Sequence, residues 1–448
     1  MIRSFAEPKL DLADVQGNVL KGYNFPFVAY VWVHVADPSA GRALLGRLLP
    51  RVTTGEPWNG DKPLSTLNVA ITFAGLEALA VPARQLAAFP PDFREGMAAR
   101  AATIGDVGED DPSLWEAGLG TGQAHLLLMI NAGTAEHLEA ALAELRRELE
   151  GESLSVVNED AGAALSGNRE HFGFGDGFSQ PAIEGDGNVA MPGHGSPEPD
   201  GRWSELALGE FLLGYEDEDG EIVPGPAGPL GCNATYMVYR KIYQDVAAFR
   251  SALRERAAGF PGGEERLAAK IVGRWRDGTP VELSPEAPDT GLRPEQLNDF
   301  RYEDDADGRR CPLGAHIRRV NPRDALGWHG KRTRRHRMIR RGMPYGPPLP
   351  DGVVEDDGQD RGLFFVCFCG SLRRQFEIVQ AAWVADGNLF GLGDDRDWLL
   401  LSDERPTAKM TIQGDPPHFV AGQPRFLTVR GGEYLFVPSI AGLRSLVA

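Results

Sequence analysis

The chain has 448 residues, 42% of them hydrophobic and 25% charged, and a formal net charge of −18. This describes a globular protein with ample core material and room for two or three domains, or for two fused halves around one site. The acidic balance argues against a general nucleic-acid binder and against docking on acidic membranes, and no apolar run approaches the ~18 residues of a membrane span.

In chain order, the opening MIRSFAEPKLDLADVQGNVLKGY has scattered charge, no apolar segment of the secretory type and no twin-arginine pair, which gives a cytoplasmic expectation. FPFVAYVWVHV (26–36) reads as a strand, GRALLGRLLPRV (41–52) as a helix, and STLNVAITFAGLEALAV (65–81) as a strand running into a helix. GQAHLLLMINAG (122–133) is a further strand, and TAEHLEAALAELRRELEG (134–151) an amphipathic helix ending at Gly151. Residues 160–230 are rich in Gly, Pro, Asp and Glu and read as a long irregular loop of the kind that carries function.

The pattern then repeats. ATYMVYRKI (234–242) is a strand and YQDVAAFRSALRERAAG (243–259) a helix. RGLFFVCFCG (361–370) is a strand, LRRQFEIVQAAWVADG (372–387) a helix, and RFLTVRGGEYLFVPS (425–439) a terminal hairpin turning at Gly431-Gly432. Similar element order in residues 1–225 and 226–448 points to a duplicated α+β unit. Cys367 and Cys369 lie on one strand face, and with Cys232 and Cys311 offering no second ligand pair, all four read as ordinary thiols rather than zinc ligands.

Two regions could carry chemistry. HFGFGDGFSQPAIEG (171–185) sets one acid, Asp176, among Gly173, Gly175 and Gly177. Backbone this bare can pass close to a flat ligand or form a tight turn, and both readings stay open on this stretch alone. GFGDGF has the wrong spacing and flanks for a dinucleotide loop, and phosphate-loop, zinc-protease and nucleophile-elbow motifs are absent. The second region is CPLGAHIRRVNPRDALG followed by WHGKRTRRHRMIRRGMPYG, with His316 after a turn and seven Lys or Arg residues in 331–341. Met338 and Ile339 between arginines point some of those cations inward, against something anionic. An acid on glycine backbone, a turn-flanked histidine and inward arginines are what a haem peroxidase needs. It requires one axial imidazole, one acid/base group for peroxide and one fixed cation for the charge developed as the O–O bond breaks.

On these motifs the chain resembles the dye-decolorizing (DyP-type) haem peroxidases. Gly173 to Gly177 matches the family's G-x-x-D-G motif, GAHIRRVNPR resembles its proximal-histidine segment, and IRRGMPYG its distal-arginine segment. DVQGNVLKGY and FLTVRGGEYLFVPS are also similar to family segments, so the resemblance spans nearly the whole chain. It implies an α+β fold of two ferredoxin-like halves with antiparallel sheets, of the dimeric α+β barrel type, with haem in the second half. Chain length and NLFGLGDDRDWLL resemble the larger cytoplasmic bacterial subgroup.

By the same resemblance His316 would ligate the iron of one haem b per chain, Asp176 would be the distal acid/base and Arg340 the distal arginine, with Arg341 as its neighbour at the haem. Gly175 and Gly177 would pass along the haem face. Leu363 and Phe365 would line the peroxide side, simple strand core being the other reading. Asp397 would orient His316, with Asp395 in reserve. Trp398 follows that acid where the family more often has Pro, and Gly342 stands where some relatives carry Asn. The implied activity is oxidation of dyes, phenols or Mn(II) by hydrogen peroxide through a ferryl intermediate, without nucleic acid or membrane partners and with a homo-oligomer allowed. A carboxylate base gives an acidic optimum. The alternative is a haem-binding or iron-handling protein with little turnover.

Overall fold

The structure is a computed structural model that describes residues 10–403 and 405–448. Residues 1–9, part of the stretch behind the expectation about export, lie outside it. The first elements are β1 (Phe27–Val35), α1 (Pro38–Leu48), β2 (Ser65–Ile71), β3 (Leu126–Ala132), α2 (Ala135–Glu148) and β4 (Leu154–Ala163). Further on come β5 (Thr235–Gln244), α3 (Val246–Arg256), α4 (Gly263–Val272), α5 (His316–Val320), β6 (Ile339–Arg340), β7 (Met343–Tyr345), β8 (Gly362–Cys369) and β9 (Leu427–Val437).

These nine strands form one antiparallel sheet in the order β4-β1-β3-β2-β9-β5-β8-β6, with β7 also on β8. That order contains the same motif twice. Each set, β1 to β4 and β5 to β9 with the short β6 and β7 sharing one position, places its last strand beside its first and its second position on the far side of its third, the ferredoxin-like arrangement that the duplication predicts. The two sets join where Phe436 of β9 pairs with Ile71 of β2. At the other end Gly162 of β4 lies against Met343 and Pro344 of β7, where an added Cβ would stand 2.8 Å from the Pro344 carbonyl oxygen.

Alternation along the strands divides the core. Val28, Tyr30 and Trp32 of β1 pack with Tyr239, Phe364, Val366 and Phe368. The intervening Ala29, Val31 and Val33 pack against the leucines of α1 and α2. A third cluster joins Phe172 and Phe174 to α3, α4, Trp398 and Met410 on the outer side of the second set. Local signals set the helix starts. Asp37, Thr134 and Asp245 accept from Ser39 N, His137 N and Ala248 N at 3.0, 3.2 and 2.8 Å, satisfying amides that a helix start leaves open.

Two expectations need correction. Residues 425–439 are no hairpin: β9 runs through Gly431-Gly432 as one strand, pairing with β5 and bulging between Val429 and Gly431. Neither glycine takes the positive φ that such a turn requires. They serve close packing, since a Cβ on Gly431 would meet Leu119 at 2.3 Å and one on Gly432 the Met97 sulfur at 2.3 Å. The loop expected from residue 160 begins later, because β4 extends to Ala163; its polar, largely exposed sequence hides an edge strand. Beyond it, 164–234 holds only short elements, the pairing of Ser196–Pro197 with Trp203–Ser204 and single 3-10 turns at Leu208–Glu210 and Gly228–Gly231. The helix expected over 372–387 is present but winds as π-helix across Arg373–Glu377 and Val379–Val384.

Candidate active site

On β5 and β8 the register pairs Leu363 with Ile242 and Phe365 with Arg240, so these four share one sheet face. That face walls a cavity of about 360 Å³, within the range of small-molecule and cofactor sites. His316, Asp176, Gly175, Arg340, Leu363 and Phe365 all line it. The structure therefore brings together six of the residues singled out in the sequence, from segments up to 190 positions apart.

His316 is the first residue of α5, where the extended Ala315 turns the chain inward. Its Nδ1 lies 2.8 Å from Asp397 Oδ2. Asp397 is fully buried and also accepts from the Leu399 and Leu400 amides at 3.0 and 3.1 Å. Burial pushes its carboxyl up, but the His316 ring, Arg319 and the Leu400 amide outweigh that and hold it below the usual range. An ionised carboxylate at Nδ1 fixes the proton there and leaves Nε2 as the nitrogen able to ligate. The reserve candidate, Asp395, instead binds the Lys409 ammonium at 2.5 Å and the Thr411 amide at 2.7 Å.

The Asp176 segment needs its glycines. Gly173 and Gly177 take φ of +97° and +82°, which side chains disfavour, and a Cβ on Gly175 would meet the Phe178 ring at 2.8 Å. Asn168 clamps the turn, accepting from Asp176 N at 2.9 Å and donating Nδ2 to Asp176 O at 2.7 Å. The Asp176 carboxylate accepts from Gly177 N at 2.6 Å and is otherwise exposed toward the cavity. Arg340 lies on β6, its main chain locked to the Gln180 amide in both directions at 3.1 and 3.0 Å. Its guanidinium donates to the Ser179 carbonyl at 2.9 Å.

Four further arginines line the cavity that the sequence did not single out: Arg240, which pairs with Asp106, and the trio Arg274, Arg323 and Arg337. Burial first, then neighbouring arginines, pushes Arg337 down to about 9 and Arg274 down to about 10. Arg323 donates to the Asn298 and Phe300 carbonyls and Arg337 to those of Gly195 and His194. Among the described residues none of the three has a carboxylate partner. Buried cations without counter-ions are costly, so this wall calls for an anionic occupant. The signal lay in the basic run 331–341, but spacing alone does not say which arginines turn inward. Arg334 and Arg335 pair instead with Glu218 and with Asp217 and Asp219.

Two predicted contacts go elsewhere. Arg341 does not reach this cavity, because successive strand residues face opposite ways; it donates to the Asn18, Val19 and Arg340 carbonyls. Gly177 likewise lines a second cavity rather than the first. His171 is buried on the Tyr345 carbonyl at 2.7 Å. Among the described residues no group of three or more His, Cys, Asp or Glu is placed to hold a metal ion, and no helix is long and apolar enough to cross a membrane.

Comparison with known proteins agrees with this fold. Residues 14–164 match the DyP dimeric alpha+beta barrel domain and residues 222–389 the Dyp-type peroxidase C-terminal region. A dye-decolorizing peroxidase of Mycena epipterygia is 30% identical over 98% of this chain and 87% of its own. A multifunctional dye peroxidase of Amycolatopsis sp. is 30% identical over 97% of this chain and 96% of its own. Equal identity to both does not single out the bacterial subgroup that the sequence resembles. The structure of a dye-decolorizing peroxidase complexed with 2,6-dimethoxyphenol superposes with a TM-score of 0.85 at 27% identity, covering 98% of this chain and 100% of that one. The chain belongs to the dye-decolorizing peroxidase family.

Proposed function

We propose that the protein is a haem peroxidase that uses hydrogen peroxide to oxidise aromatic donors, with one haem b per chain in the His316 cavity. One observation carries this reading: a histidine tied through Nδ1 to a buried carboxylate lines the same cavity as Asp176 and Arg340.

The residues fit the group. His316 Nε2 would hold the iron, and Arg274, Arg323 and Arg337 would receive the propionates that such a cofactor brings to an otherwise unpaired basic wall. Gly175 offers little bulk along the ring, and Ile242, Leu363 and Val429 supply apolar surface. When bound, haem supplies an iron centre that accepts two oxidising equivalents from peroxide.

The chain's own groups handle the proton and the charge. Asp397 keeps the Nδ1 proton on His316. Asp176 takes the proton from one peroxide oxygen and returns it to the other, while Arg340 stabilises the charge on the departing oxygen. Phenols and dyes follow as donors from the relatives' names and from the dimethoxyphenol complex. The four free cysteines suit a reducing compartment, in keeping with a cytoplasmic setting, and the two halves divide near residue 225.

The test is steady-state turnover of the haem-loaded protein with peroxide and 2,6-dimethoxyphenol or an anthraquinone dye. Sustained oxidation is expected. A haem spectrum without turnover would favour the haem-binding or iron-handling alternative.

A further inference from the structure

A second cavity of about 380 Å³ adjoins the first, and Glu170, Asp176, Arg340, Gly342 and Leu363 line both. It opens at the edge of the barrel core, where Tyr30, Met129, Val366 and Phe368 form an apolar side. Its opposite character comes from Asn18, Lys21 and Arg341. Peroxide is too small to need such a chamber.

The polar groups are unsatisfied. Lys21 Nζ is shielded from solvent and makes no hydrogen bond; it stands over the Trp58 ring, 5.2 Å from the centroid. Asn18 is 6% exposed, and its Oδ1 has no partner while Nδ2 meets only the Met129 sulfur at 3.6 Å. Arg341 donates to three backbone carbonyls and to no carboxylate. Burial lowers Lys21, partly offset by Glu56, and lowers Arg341 to about 10 against smaller opposing effects of Tyr23 and Asp186. Among the described residues neither acid on the shared wall forms an ion pair with Lys21 or Arg341: Asp176 accepts from Gly177 N, and Glu170 from the Phe172 and Phe174 amides and Gln244. Uncompensated cations and an orphan amide around a half-apolar space are costly unless an anion with some carbon skeleton sits there.

We propose that this second cavity is a binding site for a small organic carboxylate, held by Lys21, Arg341 and the turned amide of Asn18, directly beside Asp176 and Arg340. It rests on the peroxidase reading only for the roles of those last two residues. The occupant would meet the reacting groups from the barrel side, across Gly342, whose missing side chain keeps the shared wall thin; a Cβ there would stand 2.9 Å from the Phe364 carbonyl oxygen.

The test is calorimetric titration of the haem-loaded, cyanide-saturated protein with malonate and with neutral malonamide. Saturable malonate binding is expected, at least about tenfold tighter than malonamide, and about tenfold weaker in Lys21→Met and in Asn18→Asp. Thermal midpoint and the Soret band show whether each variant is folded, and the two variants serve as checks on one another. Absence of saturable binding, equal binding of malonamide, or unchanged binding in the folded variants overturns the proposal. Malonate binding that appears only without cyanide would place the anion on the iron and overturns it as well. No turnover enters these readouts, so a missing Soret band, which would sink the peroxidase reading, is told apart from failure of the carboxylate site.

Discussion

Replacing Asp397 by Asn tests the coupling between the buried carboxylate and His316 while keeping shape. The native carboxylate accepts three hydrogen bonds, from His316 Nδ1 at 2.8 Å and from the Leu399 and Leu400 amides at 3.0 and 3.1 Å. An asparagine has one acceptor oxygen. If that oxygen stays on the two amides, its NH2 faces Nδ1, and the ring must carry its proton on Nε2, the nitrogen meant for the ligand. If the amide turns over, its NH2 opposes two backbone N–H groups in a fully buried place. The first outcome weakens the ligand by about 10- to 100-fold in haem affinity or activity, and the second costs about 1–3 kcal/mol of stability. Haem titration followed at the Soret band, together with denaturant unfolding, measures both. Native haem affinity and native stability together in Asp397→Asn would refute the tautomer argument.

Asp176→Ala and Arg340→Leu should each keep haem binding but lower peroxide turnover by about 10²- to 10⁴-fold, measured as kcat/KM for peroxide; turnover within a few-fold of native would remove the acid/base and charge roles. Glu433 is buried without a described cationic partner, and burial, partly offset by the Gly120 amide, raises it from 4.5 to about 8. The folded state thus binds this proton more tightly than the unfolded one, so stability is fullest below about pH 4.5 and is lost as pH rises through about 8. Glu433→Gln should therefore gain on the order of a few kcal/mol over native near pH 8.5 and little near pH 5, read from urea midpoints; parallel pH curves would contradict the assignment. Gly431→Ala should lose about 1–3 kcal/mol in the same assay, because the new methyl enters Leu119, whereas a tip-of-hairpin glycine would tolerate it.

Strands β1, β2, β3, β5 and β8 and helices α1 to α3 were legible because period-2 and period-3.6 patterns decide them locally, as in FPFVAYVWVHV and TAEHLEAALAELRRELEG. β4 was not, because an edge strand can be polar on most positions. The glycine pair at 431–432 misled because glycine signals either a turn or a close approach, and only Met97 and Leu119, over 300 positions away, show which. At the site, motif resemblance located His316, Asp176, Arg340 and Asp397. Side-chain direction was beyond it. Arg340 and Arg341 are indistinguishable in sequence, yet only Arg340 lines the His316 cavity, while both reach the second one. Arg274 carried no signal, since its role depends on the lack of a carboxylate partner in three dimensions.

The most direct measurement is titration of the purified protein with haem, comparing the absorption spectrum with that of His316→Ala, before and after one equivalent of peroxide. Saturation near one haem per chain, a Soret band that shifts with peroxide, and loss of the axial signature in the variant are expected. A protein that gives no Soret band when haem is supplied, or an identical axial spectrum in His316→Ala, would contradict this expectation.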